Sequence, residues 1–406
     1  MKPSSARPSP LSRRSLLAAS AATALLMLPG CGGGGDGGSA GVGTGGTGSF
    51  TSGPIRGFGS IVVNGVRYDD AAAQVVGDGG AALARSDLRL GMVVDVSGSD
   101  VSTATDGRRS ATATSIGVRS EIEGPVSAVN AAAGTLTVLG QQVQITPTTV
   151  FDDDLRGGLA AVAVGMVVEV YGFLQPSGQY LATRIDDEDD PVTHYKLRGV
   201  VSGLDTAART FRIGTALVSY ADIAASVSGL ANGQYARVEL QRTPDASGAW
   251  RARSIRLATT AIGMPAGDGV KAEIEGYITA FTSDARFSVA GIVVDASAVG
   301  QLPPGLAVGR RVEVEGVLSA GVLVARSVEF EDDDDDDDEF EIEGVITSVS
   351  ASARTFSVRG ITVNYANARF KDGTAEQLAP GVKVEVEGQL ASDGTTLLAT
   401  EVEFDN

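Results

Sequence analysis

One eight-residue pattern constrains this 406-residue chain more than any other feature. In this pattern a glycine is followed by valines that alternate with charged residues, and a second glycine closes it. It occupies residues 381–388 and recurs in close versions at 309–316, 165–172 and 91–98. Apolar residues at every second position place one face of a β-strand on a core and the other in water. Each copy therefore predicts a half-buried strand, and the recurrence predicts a chain of repeats.

Two further motifs recur in a fixed order around this strand. An opening motif, Glu-Ile-Glu-Gly, precedes it, and a closing motif, Leu-Ala-Thr-Glu-Val, follows it. The three motifs occur in order five times, so the sequence predicts five units. The middle unit departs most, because Leu240 stands where the closing glycine of the strand is expected. The opening motif or a looser form lies at 54–57, 121–124, 196–199, 273–276 and 341–344, and the closing motif at 113–116, 181–185, 252–255, 324–328 and 398–402.

The last unit shows how such a repeat folds. Its pattern predicts strands at 341–349, 354–359, 361–366, 382–390 and 396–404, with a single helical turn at 375–378. Three strands, a short helical piece and two more strands resemble the OB fold, a five-stranded Greek-key barrel. So small a core is marginally stable alone, which favours packing between units, although separate beads are also allowed. We expect the core to contain Ile342, Phe356, Val358, Ile361, Val363, Val382, Val384, Val386, Leu398 and Val402.

The composition agrees with this interpretation. The 53 glycines supply tight turns, and abundant valine and threonine suit a pleated sheet. The formal charge is −18, and the four bases of the first 30 residues leave −22 for the rest. A field of this sign repels phosphate backbones, so we expect no nucleic-acid partner.

The three motifs together resemble a family of bacterial envelope repeats that is classed only as a domain of unknown function and is common in lipoproteins. The resemblance covers residues 54–404. It implies neither a catalytic residue nor a ligand for this chain. The predicted fold class is therefore all-β: five tandem small five-stranded OB-like barrels after a lipoprotein signal and a glycine-rich tether.

The N-terminal segment is typical of an export signal. Arg13 and Arg14 precede an apolar run at 15–28, which is too short to span a bilayer as a helix and ends at small residues before Cys31. The arginine pair is similar to those of twin-arginine substrates, and the cysteine completes a lipobox. A mature transmembrane helix and the general secretory route are the alternatives.

Cys31 is the only cysteine of the chain, which excludes an intramolecular disulfide and a multi-cysteine metal site. We expect it to be lipidated, so that the membrane is a partner through this residue. Gly32 supplies no acidic retention signal, which favours the outer membrane of a Gram-negative bacterium. The predicted segments are 1–30 (signal peptide), 31–52 (tether), 53–118, 119–190, 194–258 and 271–331 (barrels 1 to 4), 332–339 (acidic linker) and 340–406 (barrel 5).

Two acidic runs fall at junctions between units. Carboxylate oxygens are the ligands that calcium prefers, but neither run has the glycine turn and spaced ligands of an EF-hand loop. A solvated charged spacer is one interpretation, and weak, adaptable calcium binding without any other cofactor is the alternative. The candidate calcium ligands are Asp186, Asp187, Glu188, Asp189, Asp190, Asp332, Asp333, Asp334, Asp335, Asp336, Asp337 and Asp338.

No catalytic constellation is evident, and we predict that the protein is not an enzyme. His194 is the only histidine and stands beside an acidic run, where we expect a surface residue. Glu385 and Glu387 lie at alternate positions and are expected on the outer face of a strand. Tyr235 and Trp250 are expected to pack, or to line a sugar- or peptide-binding face.

The sequence thus favours a lipid-anchored, extracytoplasmic and non-enzymatic envelope protein that serves as a binding or spacer module. An envelope protein or a glycan is the expected class of partner. A calcium-responsive protein that uses its acidic junctions is one alternative, and an envelope glycan hydrolase is the other.

Overall fold

The structure is a computed structural model that describes residues 49–105, 107–188, 192–265, 267–331 and 339–405. These residues belong to one compact unit and fold into five small β-barrels, which we number 1 to 5 along the chain. The predicted all-β fold class is confirmed. Within the described ranges no helix has the length and apolar character that a membrane crossing requires. The helices there are short 3-10 turns at Arg85–Asp87, Asp153–Leu155, Gly158–Ala161, Ala221–Ser226 and Ala375–Gln377.

All five barrels share one path of strands. The first strand pairs antiparallel with the second and the fourth, the second with the third, and the fourth with the fifth. A parallel pairing between the third and fifth strands closes the barrel, as at Val143 and Tyr180 in barrel 2. The same closure occurs in the other four barrels. This is a five-stranded Greek-key barrel, as the resemblance to the OB fold predicts.

Barrels 1 and 2 contain the first fifteen strands. The first strand of barrel 1 is split in two, and both barrels carry extra short strands beside the fifth strand. In barrel 1 the strands are β1 (Ser49–Pro54), β2 (Gly57–Phe58), β3 (Ile61–Val63), β4 (Val66–Asp69), β5 (Gln74–Val76), β6 (Ala82–Leu83), β7 (Val93–Gly98), β8 (Ser102–Thr103) and β9 (Arg109–Arg119). In barrel 2 they are β10 (Ile122–Asn130), β11 (Thr135–Val138), β12 (Gln141–Gln144), β13 (Val150–Phe151), β14 (Val167–Leu174) and β15 (Tyr180–Asp187).

Barrels 3, 4 and 5 contain the remaining strands. Barrel 3 has β16 (Tyr195–Asp205), β17 (Thr210–Ile213), β18 (Ala216–Ser219), β19 (Tyr235–Leu240) and β20 (Trp250–Ala258). Barrel 4 has β21 (Lys271–Ser283), β22 (Arg286–Val289), β23 (Ile292–Asp295), β24 (Arg311–Ser319) and β25 (Val322–Phe330). Barrel 5 has β26 (Phe340–Ser350), β27 (Thr355–Val358), β28 (Ile361–Asn364), β29 (Arg369–Lys371), β30 (Lys383–Leu390) and β31 (Thr396–Phe404).

The glycine of the opening motif makes room for the turn that joins the second and third strands. A Cβ at Gly124 would lie 2.5 Å from Leu139, and one at Gly344 would lie 2.8 Å from Val358. The strand itself bends just after the glycine, because a bulge interrupts the pairing of β10 between Val126 and Ala128. The glycine therefore permits close packing, and the bulge supplies the bend.

The core of barrel 5 follows the predicted alternation with one exception. Seven of the ten predicted residues are at most 1% exposed, and Ile361 and Val382 pack at the edge of the core. The prediction for Leu398 is wrong, because this side chain is 43% exposed while Leu397 and Ala399 are buried. Two adjacent leucines fit either register of a period-two pattern, and the pairing of β30 with β31 selects Leu397 for the interior.

The barrels pack on one another, and not simply on their neighbours in the chain. Residues 49–52 of β1 pair in parallel with 271–274 of barrel 4, and β2 pairs in parallel with the start of β26 in barrel 5. Barrels 2 and 3 pair through their first strands at Ile122 and Leu197. The buried residues of barrels 1 and 5 form one continuous core, and those of barrels 2 and 3 form another.

Candidate functional site

The first and fourth strands of barrels 2 to 5 present charged side chains outward, and a residue of another barrel meets them. We call this outward charged group the socket of a barrel. Alternation along paired strands brings these side chains together on one face. The sockets comprise Glu121, Glu123 and Glu169 in barrel 2; Lys196, Arg198, Arg237 and Glu239 in barrel 3; Glu273, Glu275, Glu313 and Glu315 in barrel 4; and Glu341, Glu343, Glu385 and Glu387 in barrel 5.

Barrel 1 contributes one arginine to the socket of barrel 4 and another to the socket of barrel 5. Arg109 donates to both carboxylate oxygens of Glu273, each at 2.9 Å. Arg67 contacts Glu341 and lies 2.6 Å from Glu385. A planar guanidinium matches a carboxylate in two parallel hydrogen bonds, which fixes orientation as well as attraction. These two arginines therefore hold barrel 1 against both C-terminal barrels.

The socket of barrel 2 takes a lysine instead. Lys196 of barrel 3 contacts Glu123 and lies 3.2 Å from Glu169. Tyr171 donates a second hydrogen bond to Glu169, at 2.8 Å. Although burial opposes ionisation, Lys196 and Tyr171 together lower the pKa of Glu169.

Barrel 3 carries the opposite charge in its socket. Its opening motif has Lys196 and Arg198, and its fourth strand adds Arg237. Asp78 of barrel 1 enters this basic group, where it contacts Arg198 and lies 2.8 Å from the Nε of Arg237. The departure of the middle unit from the repeat pattern is thus matched by a partner of opposite sign.

Five of these outward carboxylates are therefore buried, all of them in barrels 2 and 4, whereas those of barrel 5 are half-buried or exposed. Glu273 and Glu275 are 4% and 3% exposed, although they lie outside the core of their own barrel. Burial and the neighbouring Glu385 raise the pKa of Glu341 to about 8. Sequence patterning assigns such positions correctly to the outer face of a strand, but it does not show which outer faces another barrel covers.

A cavity of about 510 Å³ lies between barrels 2, 3 and 4. The segment 259–262, which connects barrels 3 and 4, forms part of its wall. Its volume falls within the range of about 300–1,000 Å³ that is usual for small-molecule sites. Aromatic and aliphatic side chains from all three barrels line it, among them Phe173, Tyr180, Val200, Tyr235, Ile262 and Tyr277.

Arg119, the last residue of β9 in barrel 1, and Glu121 supply charge to one wall of this cavity. Both side chains are buried, and the Nε of Arg119 lies 3.6 Å from the Oε1 of Glu121. Tyr235 donates to the Oε2 of Glu121 at 2.7 Å, and Arg119 donates to the carbonyl of Ala261 at 2.8 Å. Burial raises the pKa of Glu121, while Arg119 and Tyr235 oppose that rise.

Glu275, which lines the cavity from barrel 4, belongs to a second charged pair. Glu275 accepts a hydrogen bond of 2.7 Å from the Nε of Arg311. The same guanidinium lies 5.3 Å from the ring centre of Phe173, across the contact between barrels 2 and 4. Gln175 of barrel 2 donates to the hydroxyl of Tyr277 at 3.1 Å. Barrels 2 and 4 are thus joined through side chains that line the cavity.

The two aromatic candidates of barrel 3 have different surroundings. Tyr235 lines the cavity, whereas Trp250 packs edge-on against Tyr195 with ring centres 5.8 Å apart. His194 is half-buried beside the hydroxyl of Thr193, at 2.8 Å. Sequence reasoning therefore singled out one cavity residue, but it missed Arg119, Glu121 and Glu275 as members of a shared site. Membership of the opening motif was the only signal for Glu121 and Glu275, and it did not indicate which barrels meet. Arg119 lies between two motifs and had no signal.

The other candidate residues are partly outside the described ranges. Arg13, Arg14, Cys31, Asp189, Asp190 and residues 332–338 lie outside them. Asp186 is buried at the end of β15 and pairs with Arg184 at 2.5 Å. Asp187 ends the same strand, and Glu188 follows it. Within the part of the chain that the structure describes, no three histidine, cysteine, aspartate or glutamate side chains gather as a metal site.

Comparison with protein families supports the repeat interpretation. Three segments of this chain, 123–186, 275–329 and 343–403, match a domain of unknown function, DUF5666. The resemblance to a repeat family of unknown function is thereby confirmed. The matched segments carry barrels 2, 4 and 5, the three barrels whose sockets are acidic.

Comparisons with solved structures and with curated proteins add two findings. A solved Drosophila structure, Unr CSD456, is similar to 53% of this chain, and the match covers 98% of that structure, at 15% sequence identity and a TM-score of 0.14. Comparison with curated proteins gave no match.

Proposed function

We propose that this protein is a lipid-anchored, extracytoplasmic binding module without enzymatic activity. The observation that carries the proposal is the cavity, because three barrels and the segment between two of them build its wall. Small-molecule sites commonly lie where domains meet. The repeats thus supply a site that no single barrel contains.

A binding role fits the packing better than a spacer role. A spacer gains reach when its units follow one another in a line. Here barrel 1 pairs through backbone hydrogen bonds with barrels 4 and 5. The chain therefore folds back on itself and has less reach than a linear array of the same barrels. Arg109, which pairs with Glu273, and Arg67, which contacts Glu341, stabilise this folded-back arrangement.

Small-angle scattering from the full chain tests the packed arrangement. We expect the profile of one compact body from the five barrels, with the same maximum dimension in millimolar calcium. A profile of extended, separate beads would overturn the packed binding module. A maximum dimension that changes with calcium would instead favour the calcium-responsive alternative, in which the acidic junctions bind the ion.

The absence of catalysis is supported by how the cavity carboxylates are engaged. A glycosidase uses a pair of carboxyl groups, one as acid and one as base or nucleophile. Glu121 accepts from Tyr235 beside Arg119, and Glu275 pairs with Arg311. Both carboxylates therefore serve structural pairs. Release of reducing sugar from envelope glycans by the wild type, lost in Glu121→Gln, would restore the hydrolase alternative.

Lipid anchoring at Cys31 is tested by fractionation. We expect Cys31→Ser to move the exported protein from the membrane fraction to the soluble fraction, because the acylated residue is lost. Ser39→Ala, in the same glycine-rich segment, is the matched control and should stay in the membrane fraction. Retention of the Cys31→Ser protein in the membrane would contradict the anchor.

The export route is tested separately. We expect the double change Arg13→Lys and Arg14→Lys to block export, because the twin-arginine pair is read as a signal. Unimpaired export of this variant would point to the general secretory route.

A further inference from the structure

We infer that the cavity between barrels 2, 3 and 4 binds a small neutral saccharide. The inference rests on the proposed binding function and names the class of ligand for its site. Charge balance, unused hydrogen-bonding capacity and the nature of the walls each support it.

The charged side chains that line the cavity are paired within the protein. Arg119 lies near Glu121 and Asp95, and Glu275 is paired with Arg311. A charged ligand buried among them would lack a counter-charge and would lose its hydration. The strongly acidic chain outside also repels anions on approach. These facts favour a neutral ligand.

Arg119 and Glu121 leave hydrogen-bonding capacity unused. Their Nε and Oε1 atoms are 3.6 Å apart, which is longer than a hydrogen bond. The Nε is a buried donor that makes no hydrogen bond in the structure, and an unsatisfied buried donor carries an energetic cost. A hydroxyl group both accepts and donates. A ligand hydroxyl beside this pair can donate to the carboxylate of Glu121.

The walls favour a ring that carries several hydroxyl groups. Tyr180, Tyr235 and Tyr277 present apolar ring surface with a polar tip, and Thr259 and Thr279 add hydroxyl groups to the lining. Such mixed walls suit a molecule whose faces are C–H surface and whose edge is polar. The volume of about 510 Å³ accommodates a ligand of that kind.

Titration calorimetry with maltose, cellobiose and N-acetylglucosamine tests the inference on the full chain. We expect at least one of these sugars to bind to the wild type. Val200 lines the cavity and is 44% exposed, so Val200→Trp fills the site while sparing the core. The matched control is Val324→Trp, at a surface position of barrel 4 that is 37% exposed. We expect binding to be lost in Val200→Trp and kept in Val324→Trp.

A second variant separates hydrogen bonding from cavity shape. Glu121→Gln keeps the shape and removes the charge. We expect it to weaken sugar binding by about tenfold or more, the effect of losing a hydrogen bond to a charged group. Equal thermal unfolding midpoints of Val200→Trp and Val324→Trp confirm that both variants fold.

The remaining outcomes contradict the inference in distinguishable ways. Binding that survives Val200→Trp would place the sugar outside the cavity. Binding of glucuronate or glucosamine, but of none of the three neutral sugars, would overturn the ligand class and leave the binding module intact. Failure of every sugar to bind would overturn the saccharide inference. Lipid anchoring is tested independently, by the fractionation of Cys31→Ser.

Discussion

Barrels 4 and 3 attach to barrel 1 with opposite charges. In barrel 4 the acidic Glu273 receives Arg109 of barrel 1. In barrel 3 the basic Arg198 and Arg237 receive Asp78 of the same barrel. The strand path and the inward-facing valines are alike in both. We conclude that the inward-facing residues of a repeat specify the barrel fold, while its outward charges specify which other barrel it contacts.

The largest effect is expected from breaking the acidic socket of barrel 4. Arg109→Ala would leave Glu273, which is 4% exposed, without its bidentate partner. Removing one partner of a buried ion pair typically costs about 3–5 kcal/mol. We expect a loss of that order in the free energy of unfolding, measured by urea denaturation.

A surface pair of the same chemistry is the control for this prediction. Arg251 and Asp222 lie 2.7 Å apart, but their side chains are 43% and 50% exposed. Exposed pairs contribute about 0–1 kcal/mol, so Arg251→Ala should hardly change stability. Equal losses in the two arginine variants would show that the socket of barrel 4 is not a desolvated contact.

A charge exchange sharpens the comparison with barrel 3. Arg198→Glu places a carboxylate against Asp78 and should destabilise the protein, and Asp78→Lys alone should do the same. The double variant places a carboxylate in barrel 3 opposite a lysine in barrel 1, which is the arrangement of charges found between barrels 4 and 1. We expect it to be more stable than the sum of the single losses predicts, by a coupling of about 0.5–3 kcal/mol in a double-mutant cycle. Strictly additive losses would mean that the sign of the socket does not select its partner.

The closing glycine gives the next test. A Cβ at Gly388 would lie 2.3 Å from the carbonyl oxygen of Leu398, opposite the bulge in β31. Barrel 3 has the buried Leu240 at the corresponding bulge, so its neighbouring strand accommodates a side chain there. We expect Gly388→Ala to cost about 1–3 kcal/mol through overpacking. Unchanged thermal stability of this variant would show that the two bulges are equivalent.

The effect of pH on stability has opposite signs in two acidic sockets. Glu341 in barrel 5 has a pKa of about 8, above its usual value near 4.5. The folded protein therefore holds a proton that the unfolded chain releases, and this stabilisation is present below pH 4.5 and lost as pH rises through 8. For Glu169 in barrel 2 the pKa is lowered, so its contribution is present above pH 4.5 and lost as pH falls.

Glutamine variants measure these two contributions. Relative to wild type, Glu341→Gln should remove a fall in stability as pH rises from 5 to 8. Glu169→Gln should leave that fall in place and remove a loss of stability in acid. Parallel pH profiles for the two variants would contradict the difference between the two sockets.

Much of the fold could be predicted from the repeats. The five strands of barrel 5 lie within a few residues of their predicted bounds, and the helical turn lies at Ala375–Gln377. The exception at Leu398 arose because two adjacent leucines fit either register. The cavity could not be predicted, because its walls come from segments spread over residues 119–291 that no local pattern connects.

The sequence by itself determined the repeat, the all-β class and the inward face of most strands, because alternation with period two is a local property of the chain. Only the tertiary structure decided that barrel 1 pairs with barrels 4 and 5, that Glu121 and Glu275 line one cavity, and that both of these glutamates are buried. These outcomes depend on which outer faces meet. That choice is made by charge and shape across distant segments, where a glutamate looks the same in sequence whether water or an arginine faces it.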